Sequence, residues 1–436
     1  MKPSPVASPW LRHLAAGVLL FGLGSHETSA DAVTDWNIAF ENTLQAPAER
    51  GPRVPVRVLA IMHAAMFDAV NGIEKDYQPL HVTDPAPVGA RAEAAAIQAA
   101  HTVLTALRPA YQANWDAQLA ASLASLPGNA GNAQSIARGR AWGTAVAHAI
   151  IAWRANDGST TVLPPFADSS GAGFWRHAPL GSSPTAGYAN LETVPFLLAD
   201  PMAFDPGPPY GIASRADVLA STAYATDVND IKARGGATSA VRTPGELDEA
   251  LFNDACDVSS LNRLLRSLLH SRRGLADNAR VFALFNMTAF DTTVVFFRLK
   301  YHHALWRPFQ AINYADEDNN PATDKDEAWK SYLPTPPHPE YVSAHVTLFT
   351  ALLRVAARLE GDCHKVELTA APSAFHPGGS RLYANLAAIS DTTVDARVNI
   401  GYHFLQTCEV SQVLGREIGD YIVDNALAPR RRHCPR

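Results

Sequence analysis

The sequence is short of most features that assign a chain to a class at once. Charged residues are only 18% of it, and 36 Lys and Arg against 42 Asp and Glu leave a net charge of −6. That balance excludes a protein that grips nucleic acid through bulk positive charge on the phosphates. Four cysteines in 436 residues cannot form a dense disulfide scaffold, and they show neither C-x-x-C nor the Cys/His spacing of a zinc site. Beyond the N-terminus, no apolar run reads as long enough for a transmembrane helix. The phosphate-binding G-x4-G-K-[ST], H-E-x-x-H, G-x-S-x-G and the dinucleotide fingerprint are also missing. What remains is a chain with 47% hydrophobic residues, enough for a large core, and with 31 prolines and 27 glycines that call for long irregular connections.

The first thirty residues read as an export signal. Lys2 and Arg12 give a basic start, Leu14 to Gly24 a short apolar stretch, and Thr28-Ser29-Ala30 small residues at a cleavage point. Residues 1–30 are expected to be removed, with the mature protein beginning near Asp31 and acting in the periplasm or outside the cell. Export permits one or two disulfides among Cys256, Cys363, Cys408 and Cys434, in a pairing that the sequence leaves open.

Helical spacing dominates the rest. It runs through Val54 to Gly72, with Asn71-Gly72 as a suitable end, and through Ala90 to Leu107, Ala110 to Leu126 and Ala133 to Ala155. From Asn156 to Tyr210 the pattern lapses into a Pro/Gly-rich stretch whose aromatic residues suggest a segment laid over the protein near a pocket; a plain connector is the equal alternative. Helical patterns resume at Ser214 and continue at Leu275 to His303, Ser343 to Leu359, and about Asp391 to Asn425. Strand signals are scarce. The expected fold is all-α, two packed helical bundles in one compact unit. The first occupies residues 31–213, with 156–210 as its covering segment, and the second residues 214–436.

Three segments of the second half suit an anion. Lys300 and Arg307 stand seven positions apart, nearly two helical turns, and share a side if the helix persists that far, although Pro308 disfavours helix at Arg307. Thr335-Pro336-Pro337-His338-Pro339-Glu340-Tyr341 is an extended approach that meets a helix at Ser343, a good N-cap residue. The amides of Ala344 and His345 and the helix dipole then form an oxyanion site, with His345 in the first turn. Arg397 and His403 would lie about 120° apart on an ideal helix, a poor arrangement unless Gly401 bends the chain. A competing calcium-loop template at Asp316 to Glu327 has Pro321 where glycine is needed, so a solvated acidic loop describes it better.

Taken in order, K-x6-R-P, S-x-H after P-x-Y, and R-x5-H resemble the signature of the superfamily uniting type 2 phosphatidic acid phosphatases with vanadium-dependent haloperoxidases. The wording of Trp306 to Ile312 and of Thr335 to Tyr341, the early stretch His63 to Ile73, and Phe174-Trp175-Arg176 look like its exported bacterial haloperoxidase branch.

The resemblance implies that Lys300, Arg307, Arg397, Ser343 and the amide of Ala344 hold the oxygens of vanadate, with phosphate as a competing occupant. His403 would be the metal ligand or, in a phosphatase, the nucleophile, and His345 the acid/base. It implies hydrogen peroxide and halide as substrates, with Lys300 polarising the peroxide for attack by halide. His338 at its position favours bromide or iodide over chloride, an ordinary loop histidine being the alternative. Two other functions stay open: a phosphomonoesterase working through a phosphohistidine, and a degenerate anion-binding protein without turnover. Val342, Ala344, Ala396 and Thr407 depart from the family pattern, Thr407 where phosphatases carry an aspartate that orients the histidine; a backbone carbonyl could substitute.

Overall fold

The computed structural model describes residues 31–45, 54–127, 130–177, 186–269 and 273–430. The expected signal peptide and Cys434 lie outside these residues. The first half contributes α1 (Ala32–Asn42), α2 (Val54–Glu74), α3 (Ala92–Leu107), α4 (Gln112–Ser125) and α5 (Ala130–Arg154). The second contributes α6 (Arg215–Ala220), α7 (Thr222–Arg234), α8 (Pro244–Ala255), α9 (Val258–Leu268), α10 (Leu275–His303), α11 (Pro308–Asn313), α12 (Ala344–Glu360), α13 (Leu386–Asn399) and α14 (Leu405–Asn425). One antiparallel hairpin, β1 (Val366–Ala370) with β2 (Gly379–Tyr383), joins them and was not legible in the sequence.

The central element is α10. It packs against α2 of the first half and against α12 and α14 of the second, so one apolar core runs through both. Its residues are therefore apolar on nearly every side, as they must be for a helix covered all round. By length and composition Val56–Glu74 and Leu275–His303 could each cross a bilayer, contrary to the reading of the apolar runs, but 83% and 94% of these windows are buried against the rest of the protein. Hydropathy registers the burial without saying what does the burying.

Asn71-Gly72 does not end α2, which continues to Glu74. Gly72 instead meets the Trp142 ring of α5, where an added Cβ would stand 2.7 Å from the ring. His63 and Asp68 on the same helix are structural. His63 stacks on Phe282 of α10 and meets the Asn37 amide, and Asp68 accepts the N–H groups of Leu80, His81 and Val82. Cys256, Cys363 and Cys408 are free thiols, so no disulfide joins any two of them.

The described part of residues 156–210 holds only short 3-10 turns and lies along α10. Asp291 of α10 accepts the backbone N–H groups of Phe196, Leu197 and Leu198, and Trp175 N–H donates to the Ala304 carbonyl. Phe166 and Tyr188 pack on Tyr301. The segment is thus fastened to the helix that carries Lys300.

Candidate functional site

Lys300 and Arg307 are not on one helix. The helix stops at His303, where Ala304 takes a left-handed conformation, and Pro308 holds Arg307 extended. Chain reversal, not helical phase, brings the two cations together, and both are fully buried. The segment 336–340 explains why they point the same way. Prolines 336, 337 and 339 have no N–H and cannot enter a ladder, so the carbonyls there need other donors. Lys300 Nζ donates to the Pro339 and Glu340 carbonyls, each at 2.9 Å, and Arg307 Nε donates to the His338 carbonyl at 2.8 Å.

The expected helix from Asp391 to Asn425 is two helices. α13 ends at Asn399, and Gly401, at φ +79°, turns the chain before α14 begins at Leu405. Arg397 stays in the last turn of α13 while His403 falls in the connection. The turn removes the poor 120° relationship that a continuous helix would impose. Arg307 Nη1 then reaches His403 Nε2 at 3.1 Å and the Tyr402 carbonyl at 2.9 Å.

Arginine is only a donor, so His403 Nε2 accepts and its proton sits on Nδ1. The Nδ1–H group faces Glu340 Oε1 at 3.0 Å. Glu340 is completely buried; Oε1 also accepts the Phe404 N–H at 3.1 Å, and Oε2 accepts the Thr407 hydroxyl at 2.8 Å. The carboxylate thought lost at position 407 is therefore supplied by Glu340 from another segment, with Thr407 holding it, and no backbone carbonyl is needed. Sequence spacing missed Glu340, since 63 residues separate it from His403. The unusual presence of a carboxylate inside a proline-rich approach was its only signal.

Electrostatics agree with this arrangement. Burial, and next the cations Arg307 and Lys300, hold the His403 imidazole well below the ordinary histidine range. Burial, reinforced by Arg307, likewise lowers the Lys300 ammonium, against the pull of Glu340. Arg307 is pushed down to about 10 by burial, and burial raises the Glu340 carboxyl to about 7 although both cations oppose it.

Ser343 stands at the N-cap position of α12, yet its side chain makes no capping bond. Its backbone N–H donates to Ser411 Oγ at 2.8 Å, and its buried hydroxyl finds no oxygen or nitrogen partner among the described residues; the Cys408 thiol beside it is a weak one. Ala344 opens the helix, whose first N–H groups lack intrahelical acceptors. His345, partly exposed as a residue, has an enclosed Nε2 without a partner and stacks on Phe349 with ring centroids 4.1 Å apart. Enclosure of the ring and the nearby Arg397 charge push its pKa well down. Arg397 is tethered through Nη1 to Asp254 at 3.0 Å, while its Nε and Nη2 are buried and unpartnered. Its charge bears on His403, His345 and Arg307 alike.

His338 is buried rather than loose. Arg307 Nη2 lies 2.8 Å from its Nδ1, and its ring meets Phe297 edge-on. The acidic loop is consumed internally: Lys325 pairs with Asp316 and Glu327, and Asp318 accepts from Asn320 and Thr323.

The resulting site is a buried constellation of donors and cations around one imidazole, complementary to a multiply charged oxyanion. The donor set fits vanadate as well as phosphate, since both offer oxygens to hydrogen-bond donors and a central atom to His403 Nε2. Residues 280–431 match the family model of the VCPO second helical-bundle domain. The chain is similar in fold to a bacterial vanadium-dependent iodoperoxidase, with a TM-score of 0.70 and 19% identity over 91% of this chain and 95% of that one. It is similar to the holo form of a bacterial vanadium-dependent chloroperoxidase, with a TM-score of 0.63 and 18% identity over 88% and 94% of the two chains. For an apo-type bacterial chloroperoxidase structure the TM-score is 0.64, with 17% identity over 86% and 93%. Comparison with curated proteins finds no match. Residues 280–431 thus match the VCPO second helical-bundle domain, and the chain as a whole has the helical haloperoxidase fold.

Proposed function

We propose that the protein is a vanadium-dependent haloperoxidase-like enzyme that oxidises halide with hydrogen peroxide, bromide or iodide in preference to chloride. The observation that carries this reading is the under-satisfied set: Arg397 Nε and Nη2 and His345 Nε2 are buried without a hydrogen-bond partner, and the buried Ser343 hydroxyl has only the weak Cys408 thiol beside it. Leaving such groups unsatisfied costs about 1–3 kcal/mol each, more for a charge, unless a ligand completes them. A tetrahedral oxyanion bound among them would complete these groups.

In this reading Lys300, Arg307, Arg397, Ser343 and the Ala344 N–H hold the anion's oxygens, and three cations approximately neutralise it. His403 offers Nε2 because Glu340 keeps the proton on Nδ1. Vanadate bound there would supply activation of the peroxide. His345, held neutral, is placed to take a proton, and Lys300 to polarise bound oxygen. The preference for bromide or iodide rests on the resemblance at His338, and one of the structural relatives is an iodoperoxidase. Action outside the cytoplasmic membrane rests on the N-terminal thirty residues.

A second reading, a phosphomonoesterase using His403 as nucleophile, gains from the same Glu340 contact, because a carboxylate-held imidazole is what a phosphohistidine needs. The test is to add orthovanadate to metal-free protein and to follow peroxide-dependent bromide and iodide oxidation beside hydrolysis of a generic phosphomonoester. Oxidation that appears only with vanadate supports the proposal; hydrolysis that vanadate inhibits supports the second reading. Binding of vanadate with neither activity leaves a non-catalytic anion-binding protein. His403→Ala abolishes either activity.

A further inference from the structure

The end of α10 carries a second cluster of ligating groups. His302 and His303 are its last two residues, and Asp205 follows a 3-10 turn, Pro201–Phe204, in the covering segment. His303 Nε2 lies 2.8 Å from Asp205 Oδ1, and His302 Nε2 lies 3.8 Å from Asp205 Oδ2. His303 thus hydrogen-bonds one oxygen of the carboxylate while His302 stands short of contact with the other, and the ligand atoms of all three residues fall within 4.8 Å of one another.

An ordinary imidazole–carboxylate pair accounts for His303 and Asp205. It does not account for the neighbouring ring aimed at the other oxygen. Adjacent residues on a helix point about 100° apart, yet these two imidazoles meet edge to face at the last two positions of α10. The two ring centroids are 4.8 Å apart.

We propose that Asp205, His302 and His303 bind a divalent transition cation of the zinc class, with water completing the coordination. Two imidazoles and one carboxylate are a common zinc donor set, and tetrahedral coordination at about 2.0–2.1 Å sets the ligand atoms roughly 3.3 Å apart. The two imidazole–carboxylate separations, 2.8 and 3.8 Å, lie on either side of that value. His302, with 59% of its side chain exposed, is free to close the remaining gap. It also lines an open groove with Phe166, Tyr188 and Tyr301, by which the ion enters. His303 is held in register by Tyr341 edge-on to its ring, and burial lowers its pKa, which keeps the imidazole in its metal-binding form. Arg215 is the opposing charge, anchored on the His303 carbonyl. The ion would staple the covering segment to the helix end three residues beyond Lys300. This site is separate from the oxyanion reading and stands without it.

The test uses the full mature chain, free of any affinity tag, titrated with Zn²⁺ by calorimetry and with Co²⁺ by visible absorption. One ion binds per chain in the wild type and in His403→Ala. His302→Gln and Asp205→Asn weaken binding by more than about tenfold and lose the Zn²⁺-dependent rise in melting temperature. No stoichiometric binding, or equal binding in the two variants, overturns the site. His302 is exposed, so its variant folds and keeps the comparison decisive.

Discussion

Glu340 Oε1 stands 3.0 Å from His403 Nδ1, and that one contact leaves Nε2 as the nitrogen that faces Arg307 and the proposed anion site. Second partners of this kind typically change ligand affinity by about 10–100-fold. Glu340→Ala should weaken orthovanadate binding by that factor in calorimetry, and Glu340→Gln, which keeps an acceptor oxygen, by less. Burial raises Glu340 to about 7, so its carboxylate forms as the pH rises through that value. The ratio of wild-type to Gln-variant affinity should therefore grow from about pH 6 to about pH 8; a flat ratio removes Glu340 from the site. Its effect on stability runs the other way. A folded pKa above the unfolded one gives stability that is complete below the unfolded value and lost as pH rises through about 7.

In the proposed site Arg397 would trade stability for anion binding. Two of its nitrogens are buried without partners, while Asp254, which pairs with the third, is partly exposed and can be solvated. Arg397→Met should leave the melting temperature of the anion-free protein unchanged or higher, and should weaken vanadate binding at least about tenfold, since hydrogen bonds to charged groups contribute about 1.5–3 kcal/mol. A large fall in melting temperature with unaltered affinity would mean that the residue is structural.

Gly401 separates Arg397 from His403 in direction. At φ +79° an added Cβ would stand 2.4 Å from the Gly235 carbonyl oxygen and 2.9 Å from Ser331 Cβ. Gly401→Ala should destabilise the fold by roughly 1–3 kcal/mol in denaturant unfolding, and anion affinity should fall with it because the turn is displaced. Wild-type affinity in this variant would show that the turn does not set the geometry.

Asp291 latches the covering segment through three backbone N–H groups. Asp291→Ala strands these donors and should cost about 2–4 kcal/mol, with limited proteolysis opening first near residues 196–198. Asp291→Asn, which keeps an acceptor, should cost less. If the Ala variant resists protease like the wild type, the latch lies elsewhere.

Local chemistry in the sequence determined much of this. Helical periodicity placed α10 at Leu275–His303, bound for bound, and α12 to within a residue, because 3.6-residue patterning is a property of neighbours. The resemblance carried by their order singled out Lys300, Arg307, Ser343, His345, Arg397 and His403 as candidates. Tertiary structure decided the rest. That Gly401 breaks one expected helix into two, that Gly72 packs on Trp142 instead of capping α2, and that the Ser343 hydroxyl is kept from capping all depend on what stands opposite. Glu340 was invisible as a partner of His403 for the same reason: a contact between residues 63 apart leaves no periodicity for a sequence to display.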